Sequence, residues 1–302
     1  MSRNSFNFLC FIPFTLLFLA GCSPVHAFGG ASTPILTSMP ALPTLTVFPV
    51  GTPGSTPTAV VTVTPTALCS SESGSLEKGI ITTVLMDKPM RYSVYLPPCY
   101  GFDQRTRYPV LYMLHGQGFT EDQWVRIGAT NSADRLISAD QVPPFIMVFP
   151  FDYSLKQPNQ YKFEDVFVKL LLPHIDTEYR TKTDKVQRAI GGLSRGGAWA
   201  LHIGAKYPEL FGAIGGHSPV IFYADENSLR RNLLAMQPNQ APRIWLDAGD
   251  SDSEYTLIKS FEEFLNKNNI LHEWHGFVGW HDEKYWSAHV DDYLLWYAQA
   301  WR

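Results

Sequence analysis

Residues Gly192-Leu193-Ser194-Arg195-Gly196 spell G-x-S-x-G, with a further glycine on each side, Gly191 and Gly197. Val186 to Ile190, just before, reads as a strand. Ala198 to Tyr207, just after, reads as a helix with Ala198, Leu201 and Ala205 on one face. A strand that turns sharply into a helix around a serine is a nucleophile elbow. The serine takes a strained backbone there, and a Cβ on its neighbours would strike the strand or the helix. A bare G-x-S-x-G arises often by chance. Its place between a strand and an apolar helix is what commits this chain to an α/β architecture.

The flanking sequence fits that architecture. Ile80 to Met86 and Met90 to Leu96 alternate as a hairpin turning at Asp87-Lys88-Pro89. Val110 to Leu114, Phe145 to Phe149, Phe211 to Gly215, Ile244 to Ala248 and His272 to Phe277 read as further strands. Ser132 to Ala139, Asp165 to Tyr179, Ser253 to Asn266 and Ser287 to Trp301 read as helices. Strands that are apolar throughout are buried on both faces of a mostly parallel sheet, with helices on both sides. In such sheets the chemistry gathers at the carboxyl ends of the strands.

The first part of the chain is different material. No Lys, Arg, Asp or Glu occurs between residues 4 and 71. Residues 1–22 read as an export signal: Arg3, an apolar run from Phe6 to Ala20, then Leu19-Ala20-Gly21-Cys22. That last stretch resembles the lipobox of bacterial lipoproteins. The resemblance implies a diacylglycerol on Cys22 and a lipid anchor on the outer face of a membrane. Pro13 and the shortness of the run argue against a spanning helix. Residues 23–71 read as a linker, since seventeen of the forty residues from 28 to 67 are Pro or Thr. Such a segment is an extended tether with a reach on the order of 100 Å. Residues 72–302 then form one domain. The formal net charge is −4, and nothing in it points to nucleic acid as a partner.

Of four cysteines, Cys10 and Cys22 fall in the signal, leaving Cys69 and Cys99. An exported protein meets an oxidising environment, so these two are expected to form a disulfide. Closing a loop of that size is worth roughly 3–4 kcal/mol in the chain-entropy model.

A nucleophilic Ser194 needs a base, the base needs an orienting acid, and the oxyanion needs donors. The chain order in an elbow protein is Ser, acid, His. His272, His275, His281 and His289 follow Ser194 at a distance. His281 alone falls on a loop, in Gly279-Trp280-His281-Asp282, from which it can reach back over the strand ends. The acid should follow the strand Ile244 to Ala248. Asp247 lies on the strand and reads as structural, while Asp250 and Asp252 share the loop and spacing does not separate them. One oxyanion donor is the backbone N–H of Arg195, the residue after the nucleophile. Asp250, Asp252, His281 and Asp282 could be imagined around a metal, but no H-E-x-x-H or similar pattern supports one. The serine chemistry calls for no metal or cofactor.

Taken together, the domain resembles the putative-esterase family of α/β-hydrolases, which includes feruloyl esterases, S-formylglutathione hydrolases, enterochelin esterases and mycolyltransferases. The resemblance spans roughly residues 79 to 300. It rests on Tyr95-Leu96-Pro97-Pro98, Leu114-His115-Gly116-Gln117-Gly118, the elbow, Gly249-Asp250-Ser251-Asp252, and His281-Asp282 followed by Trp286. It implies the α/β-hydrolase fold, Asp252 as the acid, and the backbone N–H of Gln117 as the second oxyanion donor. His115 is expected to brace its turn. The chain departs from the pattern at Phe151-Asp152-Tyr153, where many relatives carry a more polar loop.

Trp124, Phe151 and Trp280 are expected to line the mouth of the site, and Trp286 to pack. Tyr153, Phe222 and Tyr223 are further candidates for the mouth. The expected activity is hydrolysis of carboxylic esters through an acyl-enzyme, by resemblance on feruloyl or acetyl groups of polysaccharides. Transfer of the acyl group to a sugar hydroxyl, and a catalytically silent surface-binding domain, are the alternatives. Nothing in the sequence points to an oligomeric state.

Overall fold

The computed structural model describes residues 69–302. The export signal, Cys22 and nearly all of the expected linker lie outside the described residues. Eight strands form one sheet: β1 (Ser75–Ile81), β2 (Met90–Leu96), β3 (Val110–Leu114), β4 (Ile146–Pro150), β5 (Arg188–Leu193), β6 (Ala213–His217), β7 (Arg243–Gly249) and β8 (Glu273–Phe277). Their spatial order is β1-β2-β4-β3-β5-β6-β7-β8. β2 runs antiparallel to both β1 and β4, and the pairs from β4 to β8 are all parallel.

Strand alternation divides the core between the two faces. Val110, Tyr112 and Leu114 of β3 join Ile190, Ile214 and Leu246 on one face. Leu111 and Met113 join Ala189 and Trp245 on the other. The first face is covered by α3 (Phe163–Val166), α4 (Leu172–Glu178), α5 (Arg195–Lys206), α6 (Glu226–Ala235) and α7 (Tyr255–Lys267), through residues such as Phe163, Ile175, Trp199, Leu229 and Phe261. The second is covered by α1 (Gln123–Arg126), α2 (Ala129–Ser138) and α8 (Glu283–Ala298), through Trp124, Leu136, Tyr293 and Tyr297. Fully burying each large apolar side chain contributes about 1.5–3 kcal/mol, so a sheet buried on both faces is a rigid platform for whatever its strand ends carry. Among the described residues, no helix is long and apolar enough to cross a membrane.

Several elements differ from the sequence expectation. The first hairpin pairs Ser75–Ile81, rather than residues 80–86, with Met90–Leu96. β1 is an edge strand with four exposed residues at its start, so its apolar pattern carries little register information. The helix expected over 165–179 is interrupted by a π turn, Phe167–Leu171. Pro173 has no N–H to return to Lys169, and the turn widens there. α6 was not expected, because only Leu229 and Leu233 of it are buried and two residues make a weak periodic signal. Cys69 and Cys99 are joined as a disulfide, with Cα atoms 5.8 Å apart.

Candidate active site

β5 ends at Leu193 and α5 begins at Arg195, so Ser194 is the whole turn. Its φ of 55° and ψ of −123° cost a non-glycine residue about 1–3 kcal/mol. The conformation is held by its N–H donating to His217 O at 2.8 Å and by its own C=O accepting from Ala198 and Val220. A Cβ on Gly192 would come within 2.3 Å of Gly196 C, and one on Gly196 within 2.2 Å of Leu114 O. The elbow glycines are therefore required by the close approach of strand, helix and neighbouring loop.

The chain returns two further groups to this point. His281 follows β8 and Asp252 follows β7. His281 Nε2 lies 2.8 Å from Ser194 Oγ. His281 Nδ1 lies 3.0 Å from each carboxylate oxygen of Asp252. Ser194 is 8% exposed, and the Asp252 carboxylate is fully buried while the His281 ring is 22% exposed. Burial works to raise the Asp252 pKa but is outweighed by the hydrogen bonds from His281 and the Glu254 N–H (2.7 Å), which hold it below the ordinary carboxylate value. A buried anion behind an imidazole fixes the proton on Nδ1 and leaves Nε2 free to accept one from the serine.

The neighbouring acids are otherwise engaged. Asp250 Oδ1 accepts from the Gly279 N–H at 3.1 Å. Asp282 caps α8 by accepting from the Tyr285 N–H at 2.9 Å. Asp247 is fully buried among His217, Trp245 and Tyr285. Asp250, Asp252, His281 and Asp282 thus do not converge on one point, and no group of three metal-binding side chains occurs among the described residues.

The backbone N–H groups of Gln117 and Arg195 border the nucleophile and donate to no acceptor among the described residues. The loop that carries Gln117 is held from two sides. Gly116 N–H donates to the buried Gln123 Oε1 at 2.8 Å, and Gln123 Nε2 reaches Glu283 at 3.0 Å, two residues beyond His281. His115 Nδ1 donates to Gly116 O at 2.7 Å, and its Nε2 accepts from the Asp152 N–H at 2.9 Å. Burial pushes the His115 pKa down, keeping the ring neutral. Gln123 and Asp152 escaped the sequence analysis; a lone acid just past the end of a parallel strand was the available signal for Asp152.

Ser194 lies between two cavities. One, of about 290 Å³, is walled by Leu155, Val220, Ile221, Phe222 and Tyr223. The other, of about 500 Å³, includes Phe119, His281, Lys284 and Trp286. Trp286 is 3% exposed and sets its ring edge-on to His281 at 5.1 Å, so it both packs and forms wall. The aromatics expected at the mouth are corrected in part. Trp124 is 1% exposed, because its indole N–H reaches Leu114 O at 2.9 Å and draws the ring into the core. Phe151 packs on His115 and under the Arg91 guanidinium and lines neither cavity. Trp280 projects into solvent beside His281 without lining either cavity.

A family model described as "Putative esterase" matches residues 83–297. A protein named endo-1,4-beta-xylanase/feruloyl esterase from Xylanibacter ruminicola is 31% identical over 200 residues, covering 63% of this chain and 26% of that protein. A protein named as an esterase from Mycobacterium tuberculosis is 33% identical over 138 residues, 42% of this chain and 28% of its own length. The chain therefore spans little more than a quarter of these curated relatives. Among solved structures, a ferulic acid esterase superposes with a TM-score of 0.68 at 23% identity, over 76% of this chain and 99% of that one. An S-formylglutathione hydrolase from Staphylococcus aureus superposes with a TM-score of 0.67 at 16% identity, over 77% and 100%. These likenesses place the chain in the α/β-hydrolase fold.

Proposed function

The chain belongs to the putative-esterase family, and from that premise we propose that it is a serine carboxylic-ester hydrolase using Ser194, His281 and Asp252. The observation that carries this reading is the 2.8 Å contact between His281 Nε2 and Ser194 Oγ, backed by the buried Asp252 carboxylate. Ser194 Oγ attacks the ester carbonyl carbon while His281 Nε2 takes its proton. Asp252 stabilises the resulting imidazolium. The N–H groups of Gln117 and Arg195 receive the oxyanion, each donor worth about 3–4 kcal/mol in the transition state. Collapse expels the alcohol, which leaves with the proton from Nε2. Water then repeats the sequence on the acyl-enzyme and frees the acid.

The substrate class follows by analogy with relatives. The Xylanibacter relative is named for xylanase and feruloyl esterase activities, which favours feruloyl or acetyl esters of polysaccharides. Apolar walls beside Ser194, and the exposed Trp280 next to His281, suit an aryl group and a sugar ring respectively. Cys22 and the Pro/Thr-rich segment would tether the enzyme to the outer face of a membrane.

The test is a panel of acetyl, butyryl and feruloyl esters with the purified protein, alongside a fluorophosphonate probe. Ester cleavage with labelling at Ser194 is expected. An unlabelled serine and no turnover would leave a surface-binding domain. Acylated sugar outweighing free acid, with excess sugar present, would make the protein a transferase.

A further inference from the structure

We propose that Asp152 is a positioning residue that fixes the separation between the two halves of the oxyanion hole; this rests on the esterase reading above. Asp152 lies just past the end of β4. Its neighbour in the sheet, β3, delivers the Gln117 loop, and the next strand, β5, delivers Ser194 and Arg195. One residue therefore stands beside both turns.

The contacts run without a break from one half to the other. Gly116 O accepts from His115 Nδ1 at 2.7 Å. His115 Nε2 accepts from the Asp152 N–H at 2.9 Å. With Nε2 occupied as an acceptor, the ring proton sits on Nδ1 and the tautomer is fixed. The Asp152 carboxylate then reaches the first turns of α5: Oδ2 accepts from Arg195 Nε at 2.9 Å and from Trp199 Nε1 at 2.8 Å. Oδ1 accepts from the Ser154 N–H at 3.0 Å. Arg195 Nη2 completes the anchor on Lys156 O at 2.7 Å.

The Asp152 and Arg195 side chains are each 5% exposed. A buried ion pair is weak as a source of stability, since an apolar pair of similar volume often does as well or better. What it supplies is fixed geometry. Arg195 contributes its backbone N–H to the hole, while its side chain is turned inward and held. Gln117 contributes the other N–H from a loop that the same acid braces through His115. A shift of about 1 Å in such an arrangement can cost on the order of a hundredfold in rate.

The test compares wild type with Asp152→Asn, using an activated ester and its thionoester. Sulfur accepts hydrogen bonds poorly, so a well-aligned hole favours the oxygen ester. In D152N, kcat for the oxygen ester is expected to fall roughly ten- to a hundredfold with KM nearly unchanged, and the oxygen-to-sulfur rate ratio to fall with it. Should D152N not fold, Arg195→Met loosens the same tie from the other end and carries the same expectation. A folded variant that keeps the wild-type oxygen-to-sulfur ratio overturns the positioning role, whatever its melting temperature. A wild type that neither turns over esters nor takes the fluorophosphonate label fails at the earlier step and removes both readings.

Discussion

His281 Nε2 stands 2.8 Å from Ser194 Oγ although 87 residues of chain separate them. That meeting is produced by the sheet. Ser194 follows β5, Asp252 follows β7 and His281 follows β8, and these three strands run parallel and end on one side. Asp250 adds a local tie: it joins the β7 loop to Gly279, two residues before His281, so the loops carrying acid and base are hydrogen-bonded to each other.

Groups that act on one proton fail together. Ser194→Ala and His281→Ala should each lower kcat by about 10⁴–10⁶, and the double variant should be hardly worse than either single. Steady-state kinetics on the three proteins would check this. Additive losses would mean that the two side chains do not form one unit.

The two loop acids should separate cleanly. Asp252→Asn alters the partner of Nδ1 and should cost up to about 10⁴ in kcat, as an amide cannot hold the same tautomer. In Asp250→Asn an Oδ1 acceptor for the Gly279 N–H is retained, and kcat should change by no more than a few fold. Equal large losses at both positions would contradict the assignment of Asp252 as the orienting acid.

The Cys69–Cys99 bond lies far from this chemistry in role. Its reduction should remove about 3–4 kcal/mol of chain-entropy stabilisation and lower Tm, with kcat unchanged below the transition. Calorimetry with and without reductant measures the first, and an ester assay the second. An unchanged Tm would show that the bridge restrains nothing.

How much of this was legible in the sequence depends on how local each requirement is. Ser194 was legible because the elbow demands glycines within two residues of it. His281 was legible because it is the one late histidine on the loop that follows the last strand, at the carboxyl end of the sheet. Asp252 and Asp250 share one loop, and their division of labour is set by contacts with Gly279 and His281, 29 residues away in each case; only family resemblance separated them. Asp152 was hidden inside what read as an apolar departure, since its partner Arg195 lies 43 residues on. Trp124 was misplaced at the mouth because exposure is a property of packing, and its indole finds Leu114 O in the interior.

The pH dependence of stability should carry the mark of His202. Its two ring nitrogens face Asp225 Oδ2 at 2.5 Å and Glu164 Oε2 at 2.7 Å, so the imidazolium satisfies both carboxylates and the neutral ring only one. Burial works to lower the His202 pKa, but these two acids outweigh it and raise it. Glu164 also receives Lys206 and Tyr207; burial opposes its ionisation, and the hydrogen bonds from His202, Lys206 and Tyr207 still push its pKa down to about 2. A raised histidine stabilises fully below its unfolded value of about 6.5 and loses that contribution as pH rises through the folded value. The depressed Glu164 contributes above about 4.5 and loses it only as pH falls toward 2. Both contributions are therefore complete near pH 5 to 6, and the histidine's share fades on the alkaline side. Tm measured from pH 5.5 to 9 should show His202→Gln well below wild type at the acid end, with the gap narrowing steadily toward pH 9. Curves that stay parallel across that range would mean that His202 does not carry its charge in the folded protein.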